Sequence, residues 1–368
     1  MDQTERVSRT TSNAVANEGE SRTYDALVLV SFGGPEGPDD VLPFLENVTR
    51  GRGIPRERLV QVGAHYQLFG GLSPINGQNR ALIEAIETRM VERGTPLPIY
   101  WGNRNWEPYV HNAIASMRTD GVKRAIAFVT SAFSSASGCR QYREDIERAR
   151  EQVGSDAPIV DKIRVFYNHP GFIEPMIDNT IRALKELQAS GVDATHLAFT
   201  AHSLPMSMAT TSDYQVQLRE ACTLVAAGVA RIWEELPWDL VFQSRSGAPG
   251  QPWLEPDIND HLAQLHDAGS RGVVVVPIGF ISDHMEVVYD LDMQARETSE
   301  GLGLPLRRAA TVGTDFRFVE MICALIDERQ ILAGGGEPVR LCIGNRGPNH
   351  DVCPMDCCPL PTGRPPAR

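Results

Sequence analysis

Two short stretches carry side chains whose types and spacing suit work on a cation. The first is Ala201–Pro205, AHSLP, with His202 at its head. The second is Arg271–Asp292, RGVVVVPIGFISDHMEVVYDLD, in which Asp283, His284, Glu286, Tyr289, Asp290 and Asp292 crowd behind an unbroken apolar run. A neutral imidazole with a carboxylate suits a borderline divalent ion such as Fe2+ or Zn2+. The same pair suits proton abstraction, because histidine titrates near neutral pH and burial tunes a carboxyl group. Taken alone, a histidine at a strand end is more simply a hydrogen-bonded structural residue. The acidic cluster at a second strand end turns the reading toward chemistry. Glu286 and Asp290 stand at i and i+4, so on a helix both carboxylates share one side, a row along which an ion steps. A solvated helix face is the plain alternative, and it sits poorly with Val287, Val288 and Leu291.

A second kind of chemistry lies near the C-terminus. Of the cysteines 139, 222, 323, 342, 353, 357 and 358, the last three form C-x3-C-C. Thiolates at that density fit Zn2+ or an iron–sulfur cluster. Adjacent cysteines chelate one ion awkwardly, which favours a two-iron cluster, with a fourth ligand from Cys342 or from across the fold. A redox-exposed tail without metal is the alternative. Cys139 and Tyr142 lie in the small-residue loop FSSASGCRQYRED, where a lone cysteine reads first as core and a lone tyrosine as an amphipathic anchor. Arg50, Arg52, Arg56 and Arg58 make a basic patch for an anionic small substrate, or simply the solvated start of a helix. In Tyr66–Asn76, YQLFGGLSPIN, Gly70 and Gly71 permit close backbone approach to a ligand, and Ser73 is alternatively a helix cap.

These residues need strands to hold them. A continuous β-branched run such as Val273–Val276 suits a strand buried on both faces of a parallel sheet. Tyr24–Phe32, Pro98–Gly102, Arg124–Ala132, a strand opening at Ile163, Thr195–Ala201 and Leu240–Ser244 read as further strands. Helices are expected at 39–48, 79–93, 108–120, through about 150, after the Pro170–Gly171 turn, and at 217–233, 258–268 and 316–328. Strand–helix alternation repeated about seven times calls for an α/β fold with parallel, doubly wound sheets and right-handed crossovers. The layout divides into a polar tail over 1–22 expected to be disordered, two similar α/β domains over 23–162 and 163–330 around a cleft, and a cysteine-containing tail over 331–368. Ligands of open α/β sheets bind beyond the carboxyl ends of the strands, where His202 and the acidic cluster both fall.

The chain has 368 residues and a formal net charge of −12, which argues against nucleic acid as its partner. With 42% hydrophobic and 22% charged residues it has the composition of an ordinary globular protein. No apolar run reaches the ~20 residues of a transmembrane helix, and the N-terminus lacks the apolar core of a secretory signal. A cytoplasmic location is the expectation.

The segments LVSFGGPEGPDDVLPFLENVTRGR, YQLFGGLSPING, TAHSLP, FQSRSGAPGQPWLEPDI and VPIGFISDHMEVVYD together resemble the ferrochelatases, enzymes that insert ferrous iron into a porphyrin. The resemblance runs over about 24–330 and implies two similar α/β domains around a porphyrin cleft. It gives His202 and Glu286 the roles of Fe2+ binding and pyrrole deprotonation, with Glu286 facing His202 across the porphyrin. Asp290 becomes an outer member of the acidic row, and Asp283 and His284 become supports of the turn. Ser73, Tyr142 and Phe32 are implied to contact the porphyrin, and Arg50 or Arg52 to meet its propionates. Some relatives carry a further acid where this chain has Gln294, which shortens the carboxylate row. Others carry a tyrosine where this chain has Phe32, so that side offers the metal no axial oxygen and Phe32 packs on the macrocycle.

Cys139 with CPMDCCP is similar to the [2Fe–2S]-containing ferrochelatases of actinobacteria. That likeness implies Cys139, Cys353, Cys357 and Cys358 as cluster ligands, with Cys342 in reserve. It also implies coproporphyrin III and Fe2+ as partners, and a monomer touching neighbouring haem-pathway enzymes transiently. The absence of an extended hydrophobic lip leans the same way. Protoporphyrin IX as substrate, a cobalt chelatase for another tetrapyrrole, and a non-enzymatic haem carrier are the rivals. A carrier has no need of both His202 and Glu286.

Overall fold

A computed structural model describes residues 23–51, 53–246 and 250–359. The tail over 1–22, Arg52 and residues 360–368 lie outside the described residues.

The first half runs β1 (Ala26–Ser31), α1 (Val41–Val48), α2 (Arg56–Gln67), α3 (Ile75–Glu92), β2 (Ile99–Asn103), α4 (Val110–Thr119), β3 (Arg124–Val129), α5 (Gln141–Val153) and β4 (Ile159–Lys162). The second runs α6 (Pro170–Ala189), β5 (His196–His202), α7 (Met206–Ala209), α8 (Tyr214–Ala230), β6 (Trp238–Gln243), α9 (Ile258–Asp267), β7 (Val273–Val276), α10 (Met285–Val287), α11 (Arg296–Leu302), β8 (Leu306–Arg308) and α12 (Phe316–Ala333). Every residue of β1 and of β7 is buried, as expected of inner strands with helices on both faces.

The strands form two parallel sheets, ordered β2-β1-β3-β4 and β6-β5-β7-β8. The two orders are the same when each sheet is numbered from its own first strand. In each the chain leaves the first strand to one side and later crosses to the other. The switch points therefore fall between β1 and β3 and between β5 and β7, where a doubly wound sheet opens a crevice. One core joins the halves: Leu27, Phe128 and Phe166 belong to the same buried cluster as Phe199, Val274 and Phe318. Helix α12 returns to the first half, where Glu320 pairs with Arg89 and Arg93.

One expected strand is displaced. The sheet-forming segment is Ile159–Lys162, paired to β3, and Ile163–His169 is buried but not in a sheet. Its polar groups are committed elsewhere. Arg164 forms a buried two-pronged ion pair with Glu328 at 2.8 and 2.9 Å and also donates to Leu341 O at 3.0 Å. Asn168 accepts from Ile343 N at 2.9 Å and donates to Gly347 O at 2.8 Å. Glu220 accepts from the amides of Asn345 and Arg346. The segment after α12 has no helix or strand among the described residues, yet these bonds fasten it to the body. Helix α2, over the arginine patch, is an element that hydrophobic spacing does not reveal, since it buries only Leu59 and Gly63.

Candidate active site

His202 is the last residue of β5 and Glu286 lies in the turn after β7, so both stand at the second switch point. Their side chains touch, with Nε2 3.4 Å from Oε1, and are 31% and 41% exposed. No macrocycle fits between atoms that close. The pair therefore presents one face together, which corrects the expectation that the two residues oppose each other across a porphyrin. A carbonyl can only accept, so His202 Nδ1 donates to Ser203 O and Nε2 is left to face the carboxylate. Tyr214 OH donates to His202 O at 3.1 Å, fixing the strand end.

The electrostatics follow from this contact. Burial pushes the His202 imidazole down, but the Glu286 carboxylate outweighs it and holds the group up to about 9. Burial pushes Glu286 up, and His202 and then His284 hold it down to about 2. Asp290 is pushed up to about 7 by burial and the charge of Glu286, against a hydrogen bond from Ser244. An imidazolium–carboxylate pair thus stands beside an acid poised at neutrality. Residues Val288–Ala295 are π-helical, a winding frequent at functional sites, and carry Asp290 close enough to feel the charge of Glu286.

Two of the crowded acids are structural. Asp283 and Asp292 share Arg308, and Asp283 also accepts from Thr311 at 3.1 Å. His284 Nδ1 accepts the Glu286 amide at 3.2 Å, capping the turn. Burial holds the His284 imidazole below its ordinary range. Gln243 Nε2 donates to Glu286 O, and Ser244 donates to Asp290. Neither residue type signals chemistry in the sequence, although both sit at the carboxyl end of β6, where the positional rule applies.

The first half closes on this pair. The Asp283 amide donates to Gln78 Oε1 at 2.8 Å, and His65 stacks on Tyr289 with ring centroids 4.0 Å apart. Burial and then the charges of Glu286 and Asp290 push the Tyr66 phenol up. Tyr142 is buried beneath the Arg104 guanidinium, 4.8 Å from its ring centre, and is pushed up to about 12, chiefly by burial. Phe32 follows β1, is 37% exposed, and meets Phe44 edge-on at 6.2 Å. Ser73 is buried, its amide bonded to Pro35 O at 2.9 Å. Gly71 has φ +75°, and a Cβ there would lie 2.4 Å from Pro38 Cα, so this glycine serves packing between two loops. Arg50 is exposed and donates to Asn47.

The cysteines gather apart from this pair. Cys139 Sγ is 3.8 Å from Cys353 Sγ, and Cys357 Sγ is 3.7 Å from Cys358 Sγ. His350, absent from the expected set, lies with Cys353 and Cys357, their ligand atoms all within 4.8 Å of one another. Two thiolates on one tetrahedral metal at ~2.3 Å stand ~3.8 Å apart, so both sulfur pairs have the spacing of shared ligation. The Cys353 thiol, then Lys162 and Arg143 against burial, favour the thiolate of Cys139. Cys222 and Cys323 are buried in the core.

Two like parallel sheets thus carry an accessible histidine–carboxylate pair at one switch point. A solved structure of SirB from Bacillus subtilis with Fe3+ shares the fold, at a TM-score of 0.51 and 10% identity over 84% of this chain and 97% of that one. The ferrochelatase family pattern matches residues 24–330, and the chain belongs to the ferrochelatase family. The ferrochelatase of Rhodopirellula baltica is 53% identical over 344 residues, 93% of this chain and 95% of that protein. The coproporphyrin III ferrochelatase of Streptomyces coelicolor is 52% identical over 358 residues, 94% and 96%. That of Frankia alni is 50% identical over 349 residues, 93% and 88%.

Proposed function

We propose that this protein inserts Fe2+ into coproporphyrin III, with His202 and Glu286 as the catalytic pair. The observation that carries the reading is their 3.4 Å contact at the carboxyl ends of β5 and β7, open to solvent. The named substrate of several relatives near 50% identity supports the choice of porphyrin.

Insertion replaces two pyrrole protons with Fe2+, so the site must hold a cation and remove protons. In the resting pair Glu286 keeps His202 protonated. Fe2+ arriving at the carboxylate cancels the charge that holds that proton. Asp290, near neutral in affinity, takes it and passes it to solvent; the freed imidazole then accepts the two ring protons in turn, handing the first along the same route before it takes the second. The exposed ring of Phe32 packs on the macrocycle, Ser73 and Tyr142 line the cleft, and Arg50 meets a propionate. The units 23–162 and 163–330 grip the ring from two sides.

In this reading Cys139, Cys353, Cys357 and Cys358 would hold a [2Fe–2S] cluster, three of them supplied by the tail over 331–368. When bound, such a cluster supplies a one-electron couple and a covalent tie between tail and body. Among the described residues no helix is long and apolar enough to cross a membrane. The protein acts as a cytoplasmic monomer that meets its pathway neighbours transiently.

The test is anaerobic Fe2+ insertion into coproporphyrin III against protoporphyrin IX, with the enzyme's visible spectrum recorded first. Preferential turnover of coproporphyrin III and cluster bands that vanish in Cys357→Ser are expected. Equal or reversed preference overturns the substrate, and a featureless spectrum overturns the cluster.

A further inference from the structure

At the opposite end of β5 from His202 lies a second set of ligand atoms that plays no part in the proposed reaction. His196 opens β5, Asp239 lies near the start of β6, and His261 comes from α9. Side chains alternate along a strand, so His196, Ala198, Thr200 and His202 share the face of the sheet that α9 covers. Ala198 packs there with Val241, Ile258 and Leu262, and its small side chain leaves room for the imidazoles beside it.

His196 Nε2 is 3.0 Å and His261 Nε2 3.7 Å from the same oxygen, Asp239 Oδ2. The three ligand atoms all lie within 4.8 Å of one another. The histidines are 7% and 6% exposed, and the Nε2 of each has no hydrogen-bond partner. A buried polar nitrogen without a partner is costly, and two of them converging on one carboxylate oxygen are exceptional. Each approaches that oxygen without the alignment of a hydrogen bond. Lone pairs aimed at a shared point are what a cation needs.

We propose that His196, Asp239 and His261 form a second divalent-cation site, distinct from the His202–Glu286 pair. Two imidazoles and one carboxylate suit a borderline ion such as Zn2+, Co2+ or Fe2+ rather than Mg2+ or Ca2+. The Asp239 side chain is 56% exposed, which leaves a path for the ion and a position for water. Six residue steps of strand at ~3.3 Å separate this site from His202, so it lies ~20 Å from the proposed reaction. A bound ion ties β5, β6 and α9 together and stabilises the second half by mass action.

The full chain, crystallised and soaked with Zn2+, supplies the test through the anomalous signal at the zinc edge. A peak within ~2.0–2.2 Å of both Nε2 atoms and of Asp239 is expected. It should vanish in Asp239→Asn and persist in His202→Ala, which separates this site from the catalytic reading. In solution, Zn2+ should raise the melting temperature of His202→Ala more than that of the double variant that also carries Asp239→Asn. Should Asp239→Asn melt early without metal, His261→Gln carries the same comparison. Zinc found only at other residues, or a peak that survives Asp239→Asn, overturns the proposal.

Discussion

The two sheets share one strand order, yet their switch points are furnished in opposite ways. Beyond β1 stand Phe32, Gly33 and Gly34, with buried Ser73 beneath them. Those residues are aromatic, small and uncharged. Beyond β5 and β7 stand His202, Glu286 and Asp290, two of them a contacting charged pair. One topology thus provides two equivalent places, and in the proposed reading the loops suit one to the face of a flat macrocycle and the other to a cation and protons. The halves are complementary because they differ, and each can be broken separately.

The largest effect should follow loss of the charge in the second half. Glu286→Gln removes the cation's carboxylate and the group that holds His202 charged. We expect kcat to fall by ~10²–10⁴, the range of a lost acid–base group, while porphyrin binding is kept. Steady-state kinetics with porphyrin fluorescence titration separates the two. If porphyrin affinity falls as far as turnover, the division of labour is wrong.

Next comes pH. His202 is held up to about 9 and can accept a proton only when neutral. Asp290, pushed up to about 7, is ready to take a proton only once ionised. Both conditions favour higher pH, so kcat/KM should climb through neutrality and level near pH 9. In Glu286→Gln the chief opposition to the burial of His202 is removed, leaving only Ser203 and Asp290 to hold the imidazole up, and the residual activity should reach its plateau at lower pH. A wild-type profile that falls over the same interval contradicts the sign.

A smaller effect should come from the first half. A Cβ on Gly34 would lie 2.6 Å from Ser73 Cβ and 2.9 Å from Ile75 Cγ2. Gly34→Ala should cost ~1–3 kcal/mol of stability through overpacking. It should raise the KM for porphyrin and leave kcat nearly unchanged. A fall in kcat alone would place chemistry in the wrong half.

Much of this was legible in the chain because it follows local rules. Val273–Val276 could only be an inner strand, and His202 and Glu286 fell at strand ends, where parallel sheets place ligands. What stayed hidden depends on three-dimensional approach. The 3.4 Å contact of His202 and Glu286 joins residues 84 positions apart, and no spacing reveals that they meet side by side. Ile163–Phe166 has the apolar pattern of a strand and draws the expected β4 a few residues late, while buried Arg164 belongs to Glu328 and the tail. Helix α2 shows in the sequence only as a basic, solvated start, because its exposed faces outweigh its buried one. The π-helical winding of Val288–Ala295 leaves no signature in hydrophobic period. His350 lacked the cysteine density that marked its neighbours.

The most direct test of the account is His202→Ala, assayed anaerobically for Fe2+ insertion into coproporphyrin III alongside equilibrium binding of the porphyrin. The account predicts that binding persists within a few-fold while insertion is lost, by ~10²–10⁴ for a missing proton acceptor. Turnover near that of the wild type would contradict it.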